Sequence, residues 1–250
     1  MQTTILFILL IALFIYSIKT HIDGKIIEKS FISIVNHTFR TPLTRIKWMT
    51  DNMNPDLPRT EQIEINKNIS NTTNHLLEIV DTLAGIQDVN NSSLYFMKTV
   101  SLREIIEEGI AKYHNPINEK KIHLQISALN SLPLLSVDTK KISFAIHAVL
   151  ENAIRYSQTE GTISIGAKVE DSNIVLAIED SGIGMKWKDK RNVFKRFYRS
   201  AAAVKMNTDG MGLSLYVAKN IIDHHYGKIN FQSKDPNNGT IFYISLPISK

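Results

Sequence analysis

IEDSGIGMK, residues 178–186, ends an apolar alternation in an aspartate and then places two glycines two positions apart. The residues before it, NIVLAIE, alternate with the period of a half-buried strand. An acid at the end of such a strand, followed by a Gly-x-Gly turn, has its carboxylate beside a backbone that a ligand can approach closely. That carboxylate can accept a hydrogen bond from an exocyclic amine such as that of adenine. The same pattern also serves as a plain structural turn, so its neighbours decide.

Downstream, DGMGLSLYVAKNII (209–222) sets a second Gly-x-Gly at the start of a helical pattern. Helix N-termini opened by glycine attract phosphate through unpaired N–H groups and the helix dipole. It is not a dinucleotide fingerprint, because the last glycine is missing and no strand precedes it. Between the two glycine pairs lies KWKDKRNVFKRFYRS (186–200). Through Lys205 this stretch is rich in Lys and Arg, with Asp189 as its one acid and Phe194, Phe197 and Tyr198 interleaved. Alone it reads as a solvated charge run or a nucleic-acid patch. Its place between two glycine turns favours a lid over phosphates. Upstream, VLENAIRYS (149–157) puts Glu151, Asn152, Arg155 and Tyr156 on one side of a helix. An asparagine oxygen suits Mg²⁺, a hard cation that takes oxygen ligands.

Around these words, helical patterns at 102–113 and 142–157 interleave with short alternating runs: IHLQIS, TISIGAKV, NIVLAIE, KINFQS and TIFYISL. They predict an α/β domain over 90–250. Before it, VNNSSL (89–94) reads as a linker. Residues 21–53 carry apolar residues at steps of three and four, NPDLPRT (54–60) breaks the pattern, and Ile65, Ile69, Leu76, Val80, Leu83 and Ile86 resume it. Two long helices with a short connection predict an antiparallel hairpin over 19–89. One hairpin cannot bury both apolar faces, so a homodimer forming a four-helix bundle is expected.

The N-terminus differs again. TTILFILLIALFIYSI (3–18) holds no charge, and Lys19, Lys25 and Lys29 follow it. It is near the lower length limit of a membrane span. The lysines place the remainder on the cytoplasmic side. A signal peptide would have a basic start and a small-residue cleavage site, which are missing. Residues 1–18 are therefore expected to be a single-pass anchor in the cell membrane, with the catalytic part cytoplasmic. The 250-residue chain is 43% hydrophobic and 21% charged with net charge +5 and no cysteine. That composition reads as globular and excludes disulfides, thiolate metal sites and cysteine nucleophiles. The modest charge gives no ground for a nucleic-acid partner.

One further word settles the set: NHTFRTPLT (36–44) inside the first helix. In the order HTFRTPLT, VLENAIRYS, EDSGIG, VFKRFYR, GMGLSL and GTIFYISLP, the chain resembles the sensor histidine kinases of two-component systems over about residues 20–250. The resemblance implies an α+β chain: a hairpin for dimerisation and histidine phosphotransfer, then an α/β-sandwich ATP-binding domain of the GHKL (Bergerat) type. It implies ATP and Mg²⁺ as cofactors, and a response-regulator receiver domain as partner. His37 matches the phosphoacceptor, and Pro42 the proline that bends the helix after it. Thr41 matches a position linked to phosphatase action. Asn152 matches the Mg²⁺ ligand, and Arg155 and Tyr156 phosphate-side positions. Asp180 matches the adenine-binding aspartate, flanked by Gly182 and Gly184. Arg199, Gly210, Gly212 and Leu213 match nucleotide-binding positions in and after the lid.

Thr38 departs from the pattern, where the family usually has Glu or Asp. A threonine cannot take a proton at neutral pH, although it can accept a hydrogen bond. In an antiparallel hairpin turning near residue 57, His75 and Glu78 come level with His37 as stand-ins. Ala148, Ser214 and Tyr226 replace an asparagine and two glycines. The expected activity is autophosphorylation of His37 from ATP and transfer to a regulator aspartate. The alternative is a nucleotide-binding pseudokinase scaffold or regulator phosphatase with weak autokinase activity. An unrelated ATPase or nucleic-acid-binding module would leave RTPLT without a purpose.

Overall fold

The structure is a computed structural model that describes residues 35, 36, 38–88, 95–129, 131–206, 210–233 and 238–248, with side chains described for these except 84–88. His37 and the apolar segment 3–18 lie outside the described residues. Among the described residues no helix is long and apolar enough to cross a membrane. The chain forms two compact units, Met1–Leu76 and Leu77–Lys250, so the last part of the second helix belongs with the second unit.

In the first unit, helix α1 covers 38–51 and helix α2 is Arg59–Asp88. Two prolines and Asn54 make the turn between them. The Asn54 side chain accepts from the Asp56 N–H at 3.0 Å, and Gln62 Nε2 donates to the Pro55 and Leu57 carbonyls at 3.1 and 2.8 Å. On α1 the buried line is Thr38, Pro42 and Met49, the steps of four and seven that return to one side of a helix. On α2 the line runs through Ile65, Ile69, Thr72, Leu76, Ile79 and Thr82. This corrects one position: Ile79 is buried and Val80 is exposed, because from Leu76 the stripe advances by three, to Ile79 and then Thr82, rather than by four. Thr72 and Thr82 sit buried on a helix by returning their hydroxyls to the Asn68 and Glu78 carbonyls, both at 2.7 Å.

The second unit layers helices on one face of a mixed sheet. Strands β2 (His123–Ser127), β4 (Thr162–Glu170), β5 (Asn173–Asp180), β7 (Thr240–Pro247) and β6 (Lys228–Gln232) lie in the order β2-β4-β5-β7-β6. Only β2 and β4 run parallel; the other neighbours are antiparallel. All five match the alternating runs of the sequence. β1 (Met97–Val100) and β3 (Leu135–Asp138) form a separate two-stranded ladder that alternation did not reveal. Helices α3 (Leu102–Lys112), α5 (Thr139–Tyr156) and α8 (Ser214–His224) supply the buried face, with α5 packed on α3, α8 and β5. Short helices α4 (His114–Glu119), α6 (Trp187–Lys190) and α7 (Ala201–Met206) fill the connections.

The core follows from period two. Ile163, Ile165, Ile174, Leu176, Ile178, Phe242 and Ile244 are buried, and the residues between them are half-buried. Burying each such side chain contributes about 1.5–3 kcal/mol. α5 starts with Asp138, whose Oδ1 accepts from the Lys141 N–H at 3.1 Å, a normal N-cap. The same residue's Oδ2 accepts from the Phe96 N–H at 2.9 Å, and its own N–H donates to His225 Nε2 at 2.9 Å. His225 Nδ1 in turn lies 2.8 Å from the Ile221 carbonyl, so the ring is neutral with its proton on Nδ1. His147 is likewise buried, 3.0 Å from the Ile105 carbonyl, and Gly109 leaves room for its ring. Both histidines are packing residues, and no metal-holding cluster exists among the described residues.

Candidate functional site: a nucleotide cradle at the end of the central strand

β5 buries Ile174, Leu176 and Ile178 on its helix-facing side, and the next residue of that series is Asp180, only 7% exposed. A carboxylate therefore stands where the alternation calls for an apolar side chain. Asp180 Oδ1 accepts from the Gly182 N–H at 2.8 Å. Burial pushes the Asp180 carboxyl up to about 6, against the lowering pull of backbone N–H groups from Gly182 and Thr240. An acid held this way near neutrality, at a strand end beside a glycine turn, is a mark of a binding site rather than of the core.

The turn after Asp180 is pinned to the end of α5. The Ile183 N–H donates to the Tyr156 carbonyl at 3.3 Å. A Cβ on Gly182 would sit 2.4 Å from that carbonyl oxygen and 2.7 Å from Asp180 Oδ1, so only glycine fits. From the other side the Gly239 N–H donates to the Gly182 carbonyl at 3.0 Å. Gly239 takes φ +67, and a Cβ there would fall 1.8 Å from the Asp180 carbonyl oxygen. Gly239 was missed as a site residue in the sequence, where it is simply the glycine that opens GTIFYISLP.

α5 carries the next group. Asn152 Nδ2 returns to the Ala148 carbonyl at 2.8 Å, which turns the amide oxygen away from the helix as the available acceptor. Arg155 pairs with Glu151 one turn earlier, both half-buried. Ala148 is buried where the family pattern has an asparagine. The C-terminal carbonyls of α5 are gathered by Lys120, whose Nζ donates to Ile154, Arg155 and Ser157 oxygens at 2.9, 2.7 and 3.0 Å. A cation is favoured at that end of a helix dipole. Nothing in the sequence distinguished Lys120 from its neighbour Lys121. Lys120→Met leaves those carbonyls without their cation and is expected to cost about 2 kcal/mol. That lowers the melting temperature by roughly 5 °C, and a thermal scan beside Lys121→Met, which stays unchanged, checks it.

The basic stretch is fastened at its base. Ser233 Oγ accepts from the Met185 N–H and donates to the Gly239 carbonyl, both at 2.9 Å, and Lys190 Nζ reaches the Ser233 carbonyl. One serine thus joins the glycine turn, the start of the lid and the start of β7. Asp189 is buried and accepts from the Tyr198 hydroxyl at 2.6 Å. Phe194 packs edge-on against Phe231 and Phe242 at 5.8 and 6.5 Å between centroids. Phe194 thus pins the stretch to the sheet, and Tyr198 ties it to the buried Asp189. Arg199 Nη1 donates to the Gly210 carbonyl at 2.9 Å and Nη2 to the Ala203 carbonyl at 3.2 Å, bracing the lid's two ends. Arg196 donates to the Tyr216 hydroxyl at 2.6 Å and lies over its ring. Leu213 is 1% exposed, so its backbone alone can face a ligand.

Asp180, Gly182 and the Tyr156 carbonyl are thus brought together directly, with Gly184 two residues further along the same turn at φ +59. Arg199, Gly210 and Gly212 form a second cluster, linked to the first by way of α6, where Lys190 holds Ser233 and Asp189 holds Tyr198, the neighbour of Arg199. In the other unit Thr38 is buried and Thr41 half-buried. Glu78 meets Lys112 Nζ at 3.0 Å within the second unit, so its carboxylate is already engaged.

The donor set fits a purine nucleotide with its cation: one buried carboxylate, a glycine cradle, a helix-borne amide oxygen and a flanking run of cations. Comparison with known proteins agrees. Residues 137–250 match the family described as histidine kinase-, DNA gyrase B-, and HSP90-like ATPase. The sensor-like histidine kinase SenX3 of Mycobacterium tuberculosis is 27% identical over 222 residues, 88% of this chain and 54% of that protein. The chain spans about a third to a half of the length of the curated relatives it matches. The histidine kinase AdeS of Acinetobacter baumannii shares the fold at TM-score 0.62 and 23% identity, over 86% of this chain and 98% of that one. Histidine kinase ThkA, solved in complex with response regulator protein TrrA, gives TM-score 0.63 at 22% identity over 89% of this chain and 62% of that one. Residues 137–250 thus carry the match to the histidine kinase-, DNA gyrase B-, and HSP90-like ATPase family, and over most of its length the chain is similar to proteins named sensor histidine kinases.

Proposed function

We propose that this chain is a membrane-anchored sensor histidine kinase that transfers the γ-phosphoryl group of ATP to His37 and then to an aspartate of a response regulator. The observation that carries it is the buried Asp180 carboxylate in its glycine cradle, in a chain that also holds HTFRTPLT. The ThkA complex with its regulator supports the choice of partner. Leu43, Ile63 and Leu77 on the hairpin helices are more than half exposed in the single chain. A second copy covering them would complete a four-helix bundle. The uncharged segment 3–18 with its following lysines supports an anchor whose catalytic side is cytoplasmic.

In this reading Asp180 accepts the adenine amine, and the glycine turn lets the base approach the backbone. The Asn152 oxygen would hold Mg²⁺, which would neutralise phosphate charge. Cations of the lid lie over the phosphates. A neutral imidazole nitrogen of His37 attacks the γ-phosphorus; the N–P bond forms as the bond to the leaving ADP oxygen breaks. The imidazole proton leaves to solvent or to a nearby acceptor. Positioning and charge account for most of the rate.

The test is incubation of the purified chain with γ-labelled ATP and Mg²⁺, beside His37→Gln. Label that survives alkali, is lost in acid, and is missing from His37→Gln supports the kinase. Chase of that label onto a receiver domain supports the partner. Thr38 favours the second reading, a regulator phosphatase or scaffold. An unlabelled parent that still binds ATP and speeds loss of phosphate from a receiver domain would establish it.

A further inference from the structure

The lid's base presents a surface that the nucleotide site does not use. Trp187, the first residue of α6, is 72% exposed. Lys186, Lys188 and Arg191 around it are exposed as well, and the Arg191 guanidinium stacks on the indole at 5.1 Å. Among the described residues none of these three cations has an acidic partner. The one acid of the stretch, Asp189, is buried and turned inward to Tyr198, and Lys190 is tied to Ser233. The fold thus sorts α6 into an inward side that fastens the lid and an outward side made of a tryptophan ringed by positive charge.

A single exposed apolar residue needs no explanation. A tryptophan among cations differs, because it combines the two groups that settle at a lipid headgroup layer. The indole suits the boundary between headgroup and acyl chain, and the cations suit anionic headgroups. We propose that the Trp187 face of α6 docks on the anionic lipid surface of the membrane. The proposal rests on the anchor reading of residues 3–18. Each basic residue near an anionic surface improves partitioning by about fivefold. Three of them with one indole bind a distant vesicle weakly. Held beside the bilayer by a tether in the same chain, they act at a high effective concentration and stay docked. Charge complementarity chooses the occupant: three exposed cations around one exposed indole match a layer of anionic headgroups over acyl chains. Because Lys190 and Asp189 join this face to the lid and to Ser233, lipid charge acts next to the nucleotide site.

Trp48 and Trp187 are the chain's two tryptophans, and segment 3–18 contains none. The full chain with Trp48→Phe is reconstituted into vesicles of brominated phosphatidylcholine, with or without brominated phosphatidylglycerol. The unaltered chain minus its Trp187→Phe variant gives the same signal if Trp48→Phe folds poorly. Strong quenching of Trp187 is expected only with phosphatidylglycerol. It is relieved by high salt and by Lys186→Glu, Lys188→Glu and Arg191→Glu, each lowering partitioning by at least about fivefold. Equal quenching with and without phosphatidylglycerol, or none, overturns the proposal. So does a Trp187 shift that needs an added receiver domain and no lipid. Alkaline carbonate extraction separates the two readings. If the chain washes off, the anchor reading fails, and the same quenching with excess vesicles decides the surface by itself.

Discussion

Asp180→Asn is expected to weaken nucleotide binding by about a hundredfold, the worth of a hydrogen bond to a charged acceptor, while leaving the second unit as stable as before or more so at neutral pH. The two effects have one cause. Burial holds the Asp180 carboxyl up at about 6, so above that pH the folded unit carries an ionised group it disfavours. The sign follows from linkage. The folded value is raised above the unfolded one. The stabilising share of this group is therefore complete below about pH 4 and lost as pH rises through about 6. At pH 7 that loss is about 3 kcal/mol at most. Asparagine removes it, but it offers the Gly182 and Thr240 N–H groups one uncharged acceptor oxygen in place of two charged ones. A net gain of about 0–2 kcal/mol remains. In the unaltered chain nucleotide affinity should fall as pH drops through about 6, since the protonated acid has one acceptor fewer. Titration with a fluorescent adenine nucleotide, beside melting curves from pH 4 to 7, checks all three statements. Unchanged affinity in Asp180→Asn would remove the carboxylate from the site.

Thr38→Glu has the second large effect expected: a rise of about 10²–10⁴ in the initial rate of His37 labelling, the usual worth of a general base. The gain has a structural cost. Thr38 lies on the buried line of α1 with Pro42 and Met49. A carboxylate there loses water, and the melting temperature should fall. Thr38→Gln separates the parts, because it adds bulk and a hydrogen-bond acceptor without a proton acceptor. Labelling in Thr38→Gln equal to that in Thr38→Glu would show that orientation, not proton removal, had been missing. No rise in either variant would mean that the step is limited elsewhere.

The two units were legible in the sequence to different degrees. In the second, NIVLAIE, TIFYISL and their neighbours declare themselves by alternation, because each has one face on the helices and one toward solvent. β3 did not, since LPLLSVD is apolar without alternation and pairs only with the short β1. Asp180 could be read because it interrupts a period-two series. Gly239 and Ser233 could not, because their roles depend on loops that meet only in three dimensions. Lys120 is one of two adjacent lysines, and only the course of the chain decides which one reaches the end of α5. Tyr226 shows the reverse case. The pattern led to a glycine there, and the structure gives the reason: the residue sits at φ +56, a conformation that costs a side-chain-bearing residue about 1–2 kcal/mol.

The Asp138–His225 contact sets an acid limit on the second unit. His225 has both ring nitrogens committed, one giving a proton to the Ile221 carbonyl and one receiving the Asp138 N–H. A second proton would confront that N–H, and burial already holds the ring below its ordinary value. The stability it lends is whole above about pH 6.5 and lost as pH falls through the depressed folded value. The same residue, Asp138, caps α5 and receives the chain at Phe96. Protonation of one imidazole would therefore release the end of α8, the head of α5 and the entry to β1 as a single latch, well away from the nucleotide that the domain is built to hold.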